Sequence, residues 1–155
     1  MAVLWLLLGT AAYAQPGVID LKGSIGLTSF VDEDAEQHLH TGGAARFYVT
    51  RRFSIEPELQ YLRQSSSHDD LAVVGNANWD FRTGRVTPYV SGGIGFMRSR
   101  FRMFTPTFFS NEVFLQIGGG AKIYLNDTWF VSPEARIGWE PHVRLSIGVG
   151  YTFRR

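Results

Sequence analysis

Cysteine is absent from this chain of 155 residues. Disulfides, thiolate zinc sites and cysteine nucleophiles are therefore excluded. An excess of one charge is also missing: 15 Lys and Arg residues face 14 Asp and Glu residues, and the basic residues form no stripe. Nothing therefore indicates a nucleic-acid interface. The chain also lacks an apolar run near the ~20 residues of a membrane-spanning helix, and no stretch beyond Gln15 has a convincing helical period.

Apolar and polar residues alternate strictly in the stretch VRLSIGVGYTF, which covers residues 143–153. Its odd positions are all apolar or aromatic, and its even positions hold Arg, Ser, Gly and Thr. A period of two is typical of a strand with one apolar and one polar face. The same alternation recurs along a single domain and predicts eight strands, at about residues 18–30, 39–50, 53–64, 70–82, 86–98, 112–125, 128–139 and 142–153.

The predicted strands and their connections fit a membrane better than water. Strands of soluble proteins typically have ~5–6 residues, whereas these reach the ~9–11 residues that cross a bilayer at a tilt. Short turns are predicted at 51–52, 83–85 and 126–127, and longer loops at 31–38, 65–69 and 99–111. Short turns at one end and long loops at the other are typical of an outer-membrane barrel.

The direction of the apolar face follows from volume. An eight-stranded barrel has room inside only for packed side chains, and the bulky Val, Ile, Leu, Phe and Trp residues of eight strands would overfill it. We therefore expect that face to point outward, where only lipid could cover so much apolar surface. Closure of the sheet would satisfy the backbone groups there. The predicted fold is an all-β, eight-stranded antiparallel up-and-down transmembrane barrel.

The charges predicted inside this barrel balance. Buried charges are tolerated only when they are paired and hydrogen-bonded. We therefore expect a closed, salt-bridged lumen without a wide channel, formed by the basic residues Lys22, Arg46, Lys122, Arg136 and Arg144 and the acidic residues Asp20, Glu56, Glu58, Asp80 and Glu134.

The first residues indicate export. An apolar run is followed by Ala12-Tyr13-Ala14, a small-x-small cleavage pattern that predicts a signal peptide at 1–14 and a barrel domain at 15–155. A charged n-region is missing from this signal peptide.

Three segments carry a family resemblance: PYVSGGIGF at 88–96, GGGAKIYLNDTWFVSPEARIG at 118–138, and the closing strand with its terminal aromatic residue. Together they resemble the OmpA- and OmpX-like small barrels. The resemblance implies an outer-membrane location and recognition of Phe153 by the barrel assembly machinery. Two arginines follow Phe153 here, whereas the family's aromatic residue is the last. We expect a monomer.

The sequence contains few candidate catalytic residues. Barrels that resemble lipid A deacylases use a His-x-Ser pair, and no histidine here is followed by Ser two positions later. Ser67, His68 and Asp69 or Asp70 could meet in one loop, although loop polar residues are usually solvated. His38 and His40, after an acidic segment, are weak metal-ligand candidates beside a simpler interpretation as a charged loop. We predict no enzyme, no cofactor and no dedicated metal site.

Arg98, Arg100 and Arg102 lie at alternate positions beyond Phe96. Their guanidinium groups could pair with the phosphates of lipopolysaccharide, or simply be solvated. The overall prediction is a structural or surface-interaction protein of the outer membrane, in contact with lipid and lipopolysaccharide. Alternatives are a soluble, lipocalin-like barrel with the apolar face inward, a lipid-modifying enzyme, and a narrow channel.

Overall fold

Eight antiparallel strands make up the computed structural model, which describes residues 17–30, 37–65, 68–101, 108–139 and 142–153. None of these ranges contains a helix long and apolar enough to cross a membrane. The strands are β1 (Ile19–Phe30), β2 (Gln37–Tyr48), β3 (Phe53–Ser65), β4 (His68–Asp80), β5 (Val86–Phe101), β6 (Phe108–Tyr124), β7 (Trp129–Gly138) and β8 (His142–Phe153).

The strands form a closed barrel in chain order. Each strand pairs with the next, and β8 closes against β1, with Phe153 opposite Ile19. The start of β1 and the end of β8 therefore lie at the same end as the connections 49–52, 81–85 and 125–128, and we call this the turn end. The opposite end is called the loop end. The structure confirms the predicted fold class.

All three predicted loops are shorter than expected. The strand β2 begins at Gln37, within the loop predicted at 31–38. The strands β5 and β6 extend as far as the pair Phe101 and Phe108, so most of the loop predicted at 99–111 is strand. The loop predicted at 65–69 was also wrong, because β4 begins at His68. Its first residues pair with the extended end of β5, for example Asp69 with Arg100. These ladder hydrogen bonds override the turn preference of Ser and Asp.

The two faces of the wall have opposite polarity. Large apolar side chains such as Leu59 and Ile147 point outward and are half exposed, whereas charged and amide side chains are buried in the lumen. Val73 and Val74 illustrate the alternation, with 55% and 0% exposure respectively. The soluble, lipocalin-like alternative required the bulky face inside, and the structure has it outside.

Aromatic residues mark both rims of the outer surface. Trp79, Phe81, Trp129 and Phe153 are exposed near the turn end, and Tyr61, Phe96 and Trp139 are exposed near the loop end. Tyr151 joins Trp129 and Phe153, with ring centroids 5.1 and 4.7 Å away. Such belts lie at the two interfaces of a membrane barrel, so they give the depth at which the bilayer ends.

Candidate functional site: the lumen and the two rims

The centre of the lumen is organised around Glu56 on β3. Its carboxylate accepts a hydrogen bond from Arg46 Nε at 2.6 Å and lies 3.2 Å from an Arg136 nitrogen. Lys22 Nζ lies 3.4 Å from the same carboxylate. All four side chains are at most 5% exposed. One carboxylate is thus shared by three cations, so its loss would leave several buried charges without a partner.

Glu134 on β7 forms the second acidic centre. It forms an ion pair with Lys22 and lies 3.0 Å from Arg136. The Tyr89 hydroxyl donates a hydrogen bond to it at 2.6 Å. Both Glu56 and Glu134 form ion pairs with Lys22, so this buried ammonium group is neutralised.

Glu58 is the third acidic centre and lies closer to the loop end. Arg136 and Arg144 approach its oxygens at 3.3 and 3.2 Å, and the Asn76 amide donates a hydrogen bond at 3.1 Å. Gln116 in turn donates to Asn76 at 2.7 Å. The charged cluster therefore continues into neutral amides.

These ion pairs cross the barrel. Arg136 is on β7 and its partners Glu56 and Glu58 are on β3, four strands away in a ring of eight. Lys122 on β6 reaches Asp20 on β1, three strands away. Side chains from opposite walls therefore meet at the barrel axis.

A second cluster lies nearer the turn end. Lys122 Nζ is 3.1 Å from Asp20 and 3.8 Å from Asp80, and it contacts the Tyr48 hydroxyl. The Thr152 hydroxyl donates a hydrogen bond to Asp20 at 2.7 Å. The sequence interpretation gave Tyr48 and Thr152 no role; the only signal was their even position in strands whose odd positions face outward.

A cavity of about 760 Å³ opens at the turn end, below this cluster. Its lining includes Arg51, Arg85, Asp80 and Asp127. Lys122 also lines it, so three basic and two acidic side chains share this space.

The loop half of the lumen is partly apolar, which the sequence interpretation missed. Leu62, Ala72 and Val74 are buried there, on the same face as the charged residues. A small cavity of about 30 Å³ lies beside Leu62 and Arg144. Their even positions in β3 and β4 already predict an inward direction, but the sequence interpretation named only polar residues and glycines on that face.

The two histidine candidates are lumen residues and not part of an exposed loop. His38 is 4% exposed and His40 is 0% exposed. Both ring nitrogens of His40 lack a hydrogen-bond partner. Over the described part of the chain, no three His, Asp or Glu side chains are placed to hold a metal ion.

The loop-end arginines are described only in part. Arg98 is exposed on β5, two residues beyond the outward Phe96. Arg100 belongs to the same strand, with its backbone opposite Asp69, but its side chain is not described. Arg102, Ser67 and the acidic segment before Gln37 lie outside the described residues, as does the predicted signal peptide.

A family model for the outer membrane protein beta-barrel domain matches residues 1–153. The chain belongs to this family. It is an outer-membrane protein whose strands cross the bilayer, as the sequence predicted. No curated protein sequence matches it significantly.

Solved structures of small barrels are similar in fold. Neisserial surface protein A (NspA) superposes with a TM-score of 0.72 at 14% identity, over 88% of this chain and 96% of NspA. The N-terminal barrel of Pseudomonas aeruginosa OprF has a TM-score of 0.66 at 17% identity, over 86% of this chain and 97% of that barrel. Yersinia pestis Ail, in complex with the heparin analogue sucrose octasulfate, has a TM-score of 0.63 at 13% identity, over 88% and 97%.

Proposed function

We propose that this outer-membrane barrel is closed to solutes and acts without catalysis, as a structural and surface-interaction protein. The ion pairs that cross the lumen carry this proposal. Arg136 reaches from β7 to two carboxylates on β3, so solute movement along the axis requires buried ion pairs to separate. Separating such pairs leaves uncompensated buried charge and is strongly unfavourable.

Conductance across a planar lipid bilayer tests the closed lumen. We expect wild-type protein to give no stepwise current above that of the bare bilayer. The double variant Glu56→Gln/Arg136→Gln removes the central crossing pair and should show brief openings. A matched control, Arg63→Gln, changes an exposed strand-end residue and should stay silent. Stable current steps from the wild type would support the narrow-channel alternative instead.

Arg98, with Arg100 and Arg102, is our proposed contact with lipopolysaccharide. Two observations support it: Arg98 is exposed beyond the loop-end aromatic belt, and guanidinium groups bind phosphate oxygens in a bidentate manner. Ail, which shares the fold, has been crystallised with the polyanionic sucrose octasulfate.

Co-purification measures this contact. The triple variant Arg98→Gln/Arg100→Gln/Arg102→Gln should retain several-fold less lipopolysaccharide than wild type after detergent extraction. The control is a turn-end triple variant, Arg52→Gln/Arg82→Gln/Arg85→Gln, with the same loss of charge. Equal retention by wild type and the loop-end variant would refute the contact.

We also propose, from the sequence, how the chain is processed and assembled. Cleavage after Ala14 would release a chain that begins at Gln15, and Phe153 on the closing strand would be recognised by the assembly machinery. N-terminal sequencing of protein from the outer membrane tests the first step, and light scattering in detergent tests the expected monomer. A start other than Gln15, or a dimer mass, would contradict these two expectations.

A further inference from the structure

The connections at the turn end of the barrel are rich in arginine. The three turns at 49–52, 81–85 and 125–128 contain four arginines and one acidic residue. All four arginines are exposed, and we call them the arginine rim: Arg51, Arg52, Arg82 and Arg85.

The arginine rim lies directly beyond the turn-end aromatic belt. Arg82 follows the outward Phe81, which is 58% exposed, and Arg52 precedes Phe53 in the adjacent turn. Aromatic belts of membrane barrels lie at the interface of the hydrocarbon layer. Arg82 and Arg52 are each one residue further from the membrane centre than these aromatic residues. Their side chains are therefore at the level of the lipid headgroups.

The turns that carry these arginines are ordered by local hydrogen bonds. The Thr50 hydroxyl accepts hydrogen bonds from the backbone N–H groups of Arg52 and Phe53, at 3.2 and 2.9 Å. The Arg82 Nε donates to the Val86 carbonyl at 3.1 Å, which leaves the two terminal nitrogens of its guanidinium for other acceptors. The rim therefore presents its cations from fixed turns.

We propose that the arginine rim binds the phosphate groups of anionic phospholipids in the membrane leaflet at the turn end. Arginine matches phosphate geometry in a bidentate manner, and basic clusters beside a membrane favour anionic lipid. The β5–β6 hairpin continues past the loop-end belt residue Phe96 as far as the pair Phe101 and Phe108, whereas the turn-end connections have four or five residues. We therefore take the turn end as the periplasmic side, where the leaflet consists of phospholipid. Together with the proposed lipopolysaccharide contact, this would give the barrel phosphate contacts in both leaflets, through separate arginine groups.

The surroundings favour lipid over a free anion. Only Arg51 and Arg85 of the rim line the turn-end cavity, and they share it with Lys122 and with the carboxylates of Asp80 and Asp127. A soluble polyanion in this cavity would meet both signs of charge. Arg52 and Arg82, in contrast, adjoin aromatic residues of the outer surface, where a headgroup is held beside its acyl chains.

Lipid selectivity measured on the folded barrel tests the proposal. Spin-labelled phosphatidylglycerol and phosphatidylcholine would be compared in nanodiscs of phosphatidylcholine at one salt concentration. We expect wild type to prefer phosphatidylglycerol, and Arg52→Gln/Arg82→Gln/Arg85→Gln to lose about fivefold or more of this preference. The control, Arg63→Gln, removes an exposed arginine that belongs to neither arginine group and should keep it. Heat-dependent gel mobility would establish that both variants are folded.

Three results would overturn the proposal. The first is the same selectivity in wild type and the turn-end variant, and the second is an equal loss in the control Arg63→Gln. The third is competition by millimolar glycerol phosphate that abolishes the preference, because the rim would then be a site for free anions. A loss confined to the turn-end variant, resistant to glycerol phosphate, would support lipid binding.

Discussion

The lipid face and the lumen face of the same strands obey different rules. Val73 and Val74 are identical neighbours, yet one is half exposed to the surroundings and the other is completely buried. The lipid face needs only apolar side chains, since any of them can meet acyl chains. The lumen face needs particular partners, since each buried charge has to meet an opposite one. Substitutions should therefore have general effects outside and specific effects inside.

The largest expected effect is in the lumen. Glu56→Ala leaves Arg46, Lys22 and Arg136 with too little negative charge, and breaking a buried pair in this way costs about 3–5 kcal/mol. Urea unfolding in lipid vesicles measures the change in the free energy of unfolding. The control Asp127→Ala removes an exposed turn carboxylate and should change the stability by less than about 0.5 kcal/mol. Equal losses in the two variants would contradict the specific role of the lumen.

A charge on the lipid face should depend on depth. Leu59 is the middle residue of β3, and Leu59→Arg should destabilise the barrel by about 2–4 kcal/mol. Leu125 is also exposed but lies in a turn, so Leu125→Arg should cost about 0–1 kcal/mol. The same unfolding assay compares them. A larger loss for Leu125→Arg would show that the bilayer does not lie where the aromatic belts place it.

Substitution of two glycines should also distinguish the lumen face from the lipid face, through a smaller change in stability. A Cβ at Gly150 would meet the ring of Phe130, which is 2% exposed, whereas a Cβ at Gly23 meets nothing within 4 Å. We expect Gly150→Ala to cost about 1–3 kcal/mol by overpacking. Gly23→Ala should be nearly neutral in the same unfolding measurement. If both variants kept wild-type stability, the lumen would be less tightly packed than the structure indicates.

Much of this architecture could be predicted because period two is a local property. The parity of Arg46, Glu56 and Arg136 already placed them on one face of their strands. Their partners could not be predicted, because long side chains from opposite strands can reach several carboxylates, and the tilt of the barrel decides which ones they meet. For the same reason, the sequence did not predict that the Tyr48 hydroxyl contacts Lys122.

Strand ends were harder to predict than strand faces. His68 begins β4 because the extended end of β5 supplies its backbone partners, and no local pattern contains this information. Leu62 and Val74 are at even, inward-facing positions of their strands, but they are apolar like the residues that face lipid. Where parity and composition disagreed, parity was correct, since the pleat fixes side-chain direction irrespective of residue type.

The sidedness of the wall is the central claim, and Val73 and Val74 test it without any substitution. Protein with labelled valine methyl groups would be folded in lipid nanodiscs, and nuclear Overhauser effects between methyl groups and acyl chains would be recorded. We predict strong effects from lipid to the Val73 methyl groups and none to those of Val74. Lipid contacts at Val74 with none at Val73 would contradict the account, because the barrel would then have its faces reversed.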